Sequence, residues 1–283
     1  MPATRTYASR PKTAQRTDAS QARKKPAQAK AGGAAKPKPA VLTQLHLAFD
    51  NCPLKACKTC GLTYTRGVPE DEALHKTHCA RVQRGLDWGR DEEKTGVQLV
   101  DAAANPSPGI HGRIISLRAD AGGKAGAKLA TVFDLMNTVL AAPPLSQTAL
   151  KATKVYLFLV KPKNASREHI AGCVLAQRIS TSLAVLPTSD TNNAGAKLVH
   201  GLYCAPEPLP TPLGIPRVFV PTTYRRKGIA RALIDAAARS AIHGCPLDPR
   251  TGQLAFSQPT DSGRRLMDSC GVQRVYEEDD DLQ

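Results

Sequence analysis

Four side chains between positions 57 and 79 have the types and spacing of a metal site. Cys57 and Cys60 are separated by two residues, and His75 and then Cys79 follow further on. Two thiolates so spaced can grip one ion from a tight knuckle, and Gly61 eases that turn. His75 and Cys79 stand four apart, share one helix face and can close a tetrahedron. His78 competes with Cys79, because i+3 points the same way, but a soft thiolate at i+4 is the better ligand for zinc. Cys52 lies outside the knuckle. Glu70, Asp71 and Glu72 suit the first turn of the helix that carries the last two ligands. Ordinary buried cysteines are the competing account, although four ligands at finger spacing rarely coincide. A closed four-ligand site leaves no open position, so the expected Zn2+ is structural. A single finger whose helix opens with carboxylates is a poor reader of DNA, since phosphate would be repelled. Protein docking or a brace between domains is the expected role.

A second constellation is Tyr224-Arg225-Arg226-Lys227-Gly228-Ile229-Ala230, between a short strand and an amphipathic helix. It fits [Gln/Arg]-x-x-Gly-x-[Gly/Ala], the pyrophosphate loop of GCN5-related acetyltransferases. A helix N-terminus offers unpaired N–H groups and a positive dipole end to phosphate. Gly228 and Ala230 keep side chains out of the way, and Arg225, Arg226 and Lys227 add charge. A basic helix start at the surface accounts for so short a pattern equally well; the strand before it and the helix after it favour acyl-CoA.

Several elements must position these residues. Pro69 to Arg84 reads as the finger helix. Residues 85–109, polar with Gly and Pro, read as a linker. Arg113 to Leu117 and the strongly apolar Val155 to Val160 read as strands, with Ala171 to Ile179 the antiparallel neighbour of the second. Leu129, Val132, Phe133, Met136 and Leu140 recur at helical spacing and stop before Pro143-Pro144. Leu198 to Cys204 is a candidate strand, and Pro206, Pro208, Pro210 and Pro212 read as a loop. Arg217 to Val220 is a short strand. Ile229, Leu233, Ala236 and Ala237 set one helix face, Leu254 to Ser257 a last buried strand, and Arg264 to Met267 the start of a helix. The expected fold class is mixed α/β.

The chain has 283 residues, with 39 Lys and Arg against 24 Asp and Glu, for a net charge of +15. Ten of the basic residues and one acid lie in residues 1–40, whose lack of large apolar side chains predicts disorder. Non-specific DNA contact or nuclear targeting is the functional reading of that tail; a solvated tail without a ligand is the plain one. Leu45, Leu47 and Phe49 alternate as a half-buried strand would. No run approaches the roughly 18 apolar residues of a membrane span, and no apolar core of a signal peptide follows the N-terminus. Three of the 8 cysteines sit in the His-containing stretch, which points to metal and a reducing compartment rather than a disulfide framework.

With these motifs in order, the chain resembles the establishment of sister chromatid cohesion N-acetyltransferase family, which joins a zinc finger to an acetyltransferase domain. The residues that carry the resemblance are Cys57-Lys58-Thr59-Cys60-Gly61 with Tyr64, Pro69-Glu70-Asp71-Glu72 and His75. Further on come Gly214-Ile215-Pro216-Arg217-Val218-Phe219-Val220, Arg225 to Ala230, and Ala255-Phe256-Ser257-Gln258-Pro259-Thr260-Asp261-Ser262-Gly263. The resemblance is to a fungal-like member of that family. The resemblance implies a GCN5-related acetyltransferase fold with a mixed central sheet. It divides the chain into a basic tail (1–40), a finger with its preceding strand (41–84), a linker (85–109), an acetyltransferase domain (110–276) and an acidic tail (277–283).

The resemblance further implies transfer of acetyl from acetyl-CoA to lysines on the ATPase head of cohesin's SMC subunit, in the nucleus and on chromatin. Val218, Phe219 and Val220 would pair with the pantetheine arm, Arg226 to Arg231 would cradle the pyrophosphate, and Thr260, Asp261 and Ser262 would lie along the cofactor. The family often carries a motif for the replication sliding clamp before the finger. Gln44-Leu45-His46-Leu47 offers its first half, but Asp50 and Asn51 stand where an aromatic pair is expected. Pro216 replaces a serine of animal members, and Gln258 replaces an aspartate proposed as general base. A lysine ammonium cannot attack until it loses a proton, so a carboxylate is needed within reach. Asp235 and Asp261 are the candidates, with an i,i+4 pair to Arg231 or Arg239 and a turn cap as their competing roles. A non-catalytic chromatin-binding scaffold and an acetyltransferase for histones or other proteins are the alternatives.

Overall fold

Seven of the eight residues in 153–160 are buried, and their side chains alternate between two separate cores. Tyr156, Phe158 and Val160 face one, and Val155, Leu157 and Leu159 the other, as the two-residue period of a strand requires. A strand apolar on both faces must lie inside a sheet covered on both sides. The computed structural model, which describes residues 54–94, 96–162, 165–187 and 195–278, places it there.

The elements in chain order are β1 (Leu54–Ala56), β2 (Thr63–Thr65), α1 (Pro69–Arg84), β3 (Asp87–Trp88), β4 (Gln98–Ser107), β5 (Ile110–Arg118), α2 (Gly123–Leu140), α3 (Gln147–Ala152), β6 (Thr153–Val160) and β7 (Glu168–Arg178). There follow β8 (Thr181–Val185), β9 (Lys197–Val199), β10 (Leu202–Pro210), β11 (Leu213–Ile215), β12 (Val218–Phe219), α4 (Ile229–Ser240), β13 (Leu254–Phe256), α5 (Asp261–Cys270) and β14 (Arg274–Val275). β1 and β2 form a small hairpin. The main sheet runs β4-β5-β6-β7-β11-β13-β14-β8-β10-β9, with β12 and β3 also paired to β7. It is mixed: β13 is parallel to β11 and β14, and the other pairings are antiparallel.

α2 covers one face through Ala125, Leu129, Val132, Leu135 and Met136. α4 covers the other through Ile229, Leu233, Ile234 and Ala236 to Ala238. Gly172 on β7 lets α4 come close: a Cβ there would lie 2.7 Å from Ile229 Cγ2 and 2.9 Å from Leu233 Cδ1.

The finger is fused to this body, and the two form one compact unit. α1 ends at Gly85, whose φ of +82° is in the left-handed region and whose Cβ would sit 2.1 Å from the carbonyl oxygen of Ile170. The next residue, Leu86, accepts a bond from the Ile170 N–H (2.8 Å). Trp88 follows, buried, with Nε1 donating to Glu93 Oε1 at 2.9 Å. Arg113 on β5 binds Glu93 and, through Nε at 3.0 Å, Glu168 on β7, tying the segment down.

Three sequence expectations change. Residues 85–109 are not a plain linker: they hold β3 and the ten-residue β4. β4 is a mostly exposed edge strand with three register shifts against β5, so it carries no clean apolar alternation. Pro206, Pro208 and Pro210 lie in β10 rather than in a loop. They occupy alternate positions, so their missing N–H groups fall on one side, while Thr211 of the opposite parity donates to Ser180 beside β8. α5 begins at Asp261, three residues earlier than expected, because Thr260 Oγ1 caps it by accepting the Gly263 N–H at 3.3 Å. The basic tail, the strand read over 45–49, the half clamp motif at 44–47, Cys52 and the last five residues of the acidic tail lie outside the described residues.

Candidate active site and metal centre

The hairpin β1–β2 and α1 bring Cys57, Cys60, His75 and Cys79 together, with all ligand atoms within 4.8 Å of one another. The knuckle is closed by Gly61 N–H to Cys57 O (2.8 Å) and Cys57 N–H to Leu62 O (2.9 Å). Cys57 Sγ and Cys79 Sγ are 4.0 Å apart, close to the edge of a tetrahedron with metal–sulfur bonds of about 2.3 Å. His75 stacks on Tyr64 at 4.1 Å, and its Nε2 is buried with no hydrogen-bond partner among the described residues. Hydrogen bonding, first from the backbone N–H of Cys60, pulls the Cys57 thiol down to about 6, and burial pushes Cys60 up to about 11. An orphaned imidazole nitrogen inside a ring of three sulfurs fits a closed zinc site. His78 is outside the cluster, so Cys79 is the fourth member.

The second site begins with a bulge. Gly214 faces Gln177 and Val218 faces Val174, so four steps on the β11–β12 segment oppose three on β7. Beside it β13 stays parallel to β11 only as far as Ile215 and Phe256; Ser257 adds a last bond from Oγ to Pro216 O at 3.0 Å. Beyond that point β12 remains with β7 while the chain after β13 turns into α5. The strands part, and a cleft of about 1060 Å³ opens between them.

Val218, Phe219 and Val220 form its strand wall, and Arg225, Arg226, Gly228, Ile229, Ala230 and Arg231 line the end where α4 starts. Gly228 caps α4 with φ +75°, and a Cβ there would meet Pro106 O at 2.8 Å. No side chain caps this helix, so the N–H groups of its first turn are free for an anion. Arg226 also has a positive φ, +62°, unusual for a residue with a side chain. Arg225 Nε is tied to Val220 O at 3.0 Å, and Lys227 Nζ lies 5.7 Å from the Tyr224 ring centre.

Of the sequence-derived residues, Thr260 and Ser262 line the cleft as well, whereas Lys227, Asp235 and Asp261 are not among its lining residues. Asp235 lies 4.0 Å from Arg231 along α4, and Asp261 opens α5. Sequence reasoning missed two walls. One is α5, through Arg265, Leu266 and Ser269, whose spacing from Ser262 by three, four and seven residues was the available signal. The other is the finger, through Thr59, Cys60, Gly61 and Val82, opposite which α2 ends with Val139 and Leu140. Cys60 and Phe219 belong to the same buried cluster.

Comparison with known proteins gives two family matches. Residues 210–277 match a family described as ESCO1/2 acetyl-transferase, and residues 44–81 match the zinc-finger of acetyl-transferase ESCO. Both matched segments are thus similar to the acetyltransferase and the zinc finger of the establishment-of-cohesion family. It is 28% identical over 211 residues to human N-acetyltransferase ESCO2, covering 74% of this chain and 32% of that one. It is 27% identical over 237 residues to N-acetyltransferase ECO1 of Yarrowia lipolytica, covering 83% of this chain and 74% of the relative. The chain thus spans about a third of the length of the human and mouse relatives. Among solved structures, the xEco2 acetyltransferase domain bound to a K105-CoA conjugate matches with a TM-score of 0.51 and 27% identity. The match covers 64% of this chain and 98% of that one. The mixed α/β fold is therefore that of an acetyltransferase with a zinc finger built onto it.

Proposed function

We propose that the chain is a protein-lysine N-acetyltransferase that uses acetyl-CoA to modify the ATPase head of cohesin's SMC subunit. The observation that supports this best is the cleft. A glycine-capped helix start and basic side chains lie at one end of a gap between parting strands, and the similar xEco2 domain holds a CoA conjugate. In this reading the uncapped N–H groups of α4 and Arg225, Arg226 and Arg231 bind the pyrophosphate, with Lys227 adding charge. The backbone of Val218 to Val220 pairs with the pantetheine arm and offers an N–H to the thioester oxygen as it gains negative charge. Thr260 and Ser262, which line the cleft on either side of Asp261 in the chain, stand along the cofactor at the start of α5.

The acceptor ammonium gives up a proton, its nitrogen attacks the thioester carbonyl carbon, the new C–N bond replaces C–S, and the CoA thiolate leaves and is protonated. Asp235 and Asp261 are the carboxylates whose replacement by Asn tests the proton acceptor. Zinc, held by Cys57, Cys60, His75 and Cys79, has a structural part. Nuclear, chromatin-associated action belongs to the same reading, as do contact with the sliding clamp through residues 44–47 and DNA contact through the basic tail.

The test is acetyl transfer from acetyl-CoA, read by mass spectrometry, to a cohesin ATPase head and to histone tails in parallel, with Arg226→Glu/Gly228→Glu as control. Label on the head alone, lost in the control, is the expected result. Label on histones alone removes the substrate, and no label anywhere removes the activity.

A further inference from the structure

The cleft carries Arg225, Arg226 and Arg231 at the end where α4 starts, which makes that end cationic. Beside the bulge, on the strand wall next to Val218, stands Arg217, with its side chain 6% exposed and its Nε buried without a partner among the described residues. Its Nη2 donates to Pro143 O at 2.9 Å, three residues beyond Leu140 of the cleft wall. The same Nη2 lies 3.6 Å from Oε2 of Glu278.

Glu278 is brought there by sheet register. Val275 faces Phe256 in parallel, and the Tyr276 N–H donates to Phe256 O at 3.0 Å, so the chain after β14 runs beside Ser257, whose Oγ makes the last bond to the segment after β11. Tyr276 is fixed from two sides. Its hydroxyl accepts from Gln177 Nε2 at 3.1 Å, and its ring occupies the space over Gly214 that a Cβ would enter at 2.8 Å. Glu278, two residues on, keeps its side chain 25% exposed. Its carboxylate thus has a buried cation on one side and access to solvent on the other. Arg217 and Tyr276 are the titratable groups that face it; burial, with the charge of Glu278 adding to it, keeps the Tyr276 phenol protonated.

We propose that Glu278, held by Arg217 beside the point where β11 and β13 part, is the anion that docks the ammonium group of the acceptor lysine. An arginine accounts for one carboxylate oxygen, and the other is free to accept from an alkylammonium. The arrangement separates the two substrates by charge: phosphate at the α4 end, cation at the bulge. This assignment rests on the acetyltransferase reading.

The experiment measures KM for an acceptor-lysine peptide, kcat, and acetyl-CoA Kd for the full chain and for Glu278→Gln, Glu278→Asp and Glu277→Gln. Glu277 pairs instead with Lys197 at 2.6 Å and serves as a matched control. The expected result for Glu278→Gln is an acceptor KM raised about tenfold, which is what losing roughly 1.4 kcal/mol of charge-assisted bonding gives, with acetyl-CoA Kd unchanged. Glu278→Asp should recover part of the loss, and Glu277→Gln should leave KM as it was. Active wild type with an unchanged KM in Glu278→Gln overturns the docking role and leaves the acetyltransferase reading standing. Wild type that binds acetyl-CoA but transfers nothing overturns both. A Glu278→Gln chain that fails to fold leaves the decision to Glu278→Asp, whose KM must rise.

Discussion

The finger and the sheet behind it are held by different forces. Of the sixteen residues of α1 only Val82 is buried, whereas in β6 every residue but Lys154 is. The helix has Pro69 at its start, no side-chain cap and a left-handed Gly85 at its end. It is kept in place by a metal at its middle and a joint at its end. The strand needs no ligand, because water exclusion from both faces holds it. The difference teaches that one molecule can lose one part and keep the other, and that the cleft, walled by both, depends on both.

That contrast can be broken in steps. Stripping the metal with a chelator should have the largest effect, since the apparent binding energy of structural zinc, on the order of 10 kcal/mol, is folding energy for the segment it closes. Hydrogen exchange should show α1 unprotected while β6 and β7 stay protected, and acetyl-CoA binding should weaken as Thr59, Cys60, Gly61 and Val82 leave the cleft. Persistent protection of α1 in metal-free protein would sink the comparison. Next, Leu157→Ala empties a fully buried position and should cost about 3 kcal/mol, read as a lower denaturation midpoint of the sheet with zinc content unchanged.

Gly85→Ala attacks the joint between the two parts. Positive φ and a Cβ 2.1 Å from Ile170 O together predict a loss of about 2 kcal/mol. The structural reading requires that loss to appear at the finger first, as faster exchange at Leu86 and Trp88. Gly228→Ala should matter least for stability, about 1 kcal/mol from the left-handed backbone. Calorimetry with acetyl-CoA should nevertheless show weaker binding, because a Cβ meeting Pro106 O shifts the first turn of α4. Unchanged affinity would place the pyrophosphate elsewhere.

The same contrast explains what was legible in the sequence. Metal chemistry dictates residue type and spacing, so Cys57, Cys60, His75 and Cys79 could be read directly. Burial on two faces marks β6 and β7, and a single apolar stripe marks α2 and α4. β4 left no such trace because it is an edge strand with exposed residues on both faces. The turn at 225–230 was legible as a helix start because a left-handed glycine cap and the apolar face after it leave their mark in the sequence. The finger's part in the cleft wall and the meeting of Arg217 with Glu278 were not, because each joins residues far apart in the chain, through the fold alone.

The three prolines of β10 have a consequence of another kind. An edge strand with free N–H groups is a template on which a foreign strand can grow. With the donors at 206, 208 and 210 missing on one side, only carbonyl oxygens are offered there, and an incoming strand would find no ladder to complete. The part of β10 beyond its pairing with β9 therefore resists self-association through backbone pairing, although Leu198 and Tyr203 nearby are exposed.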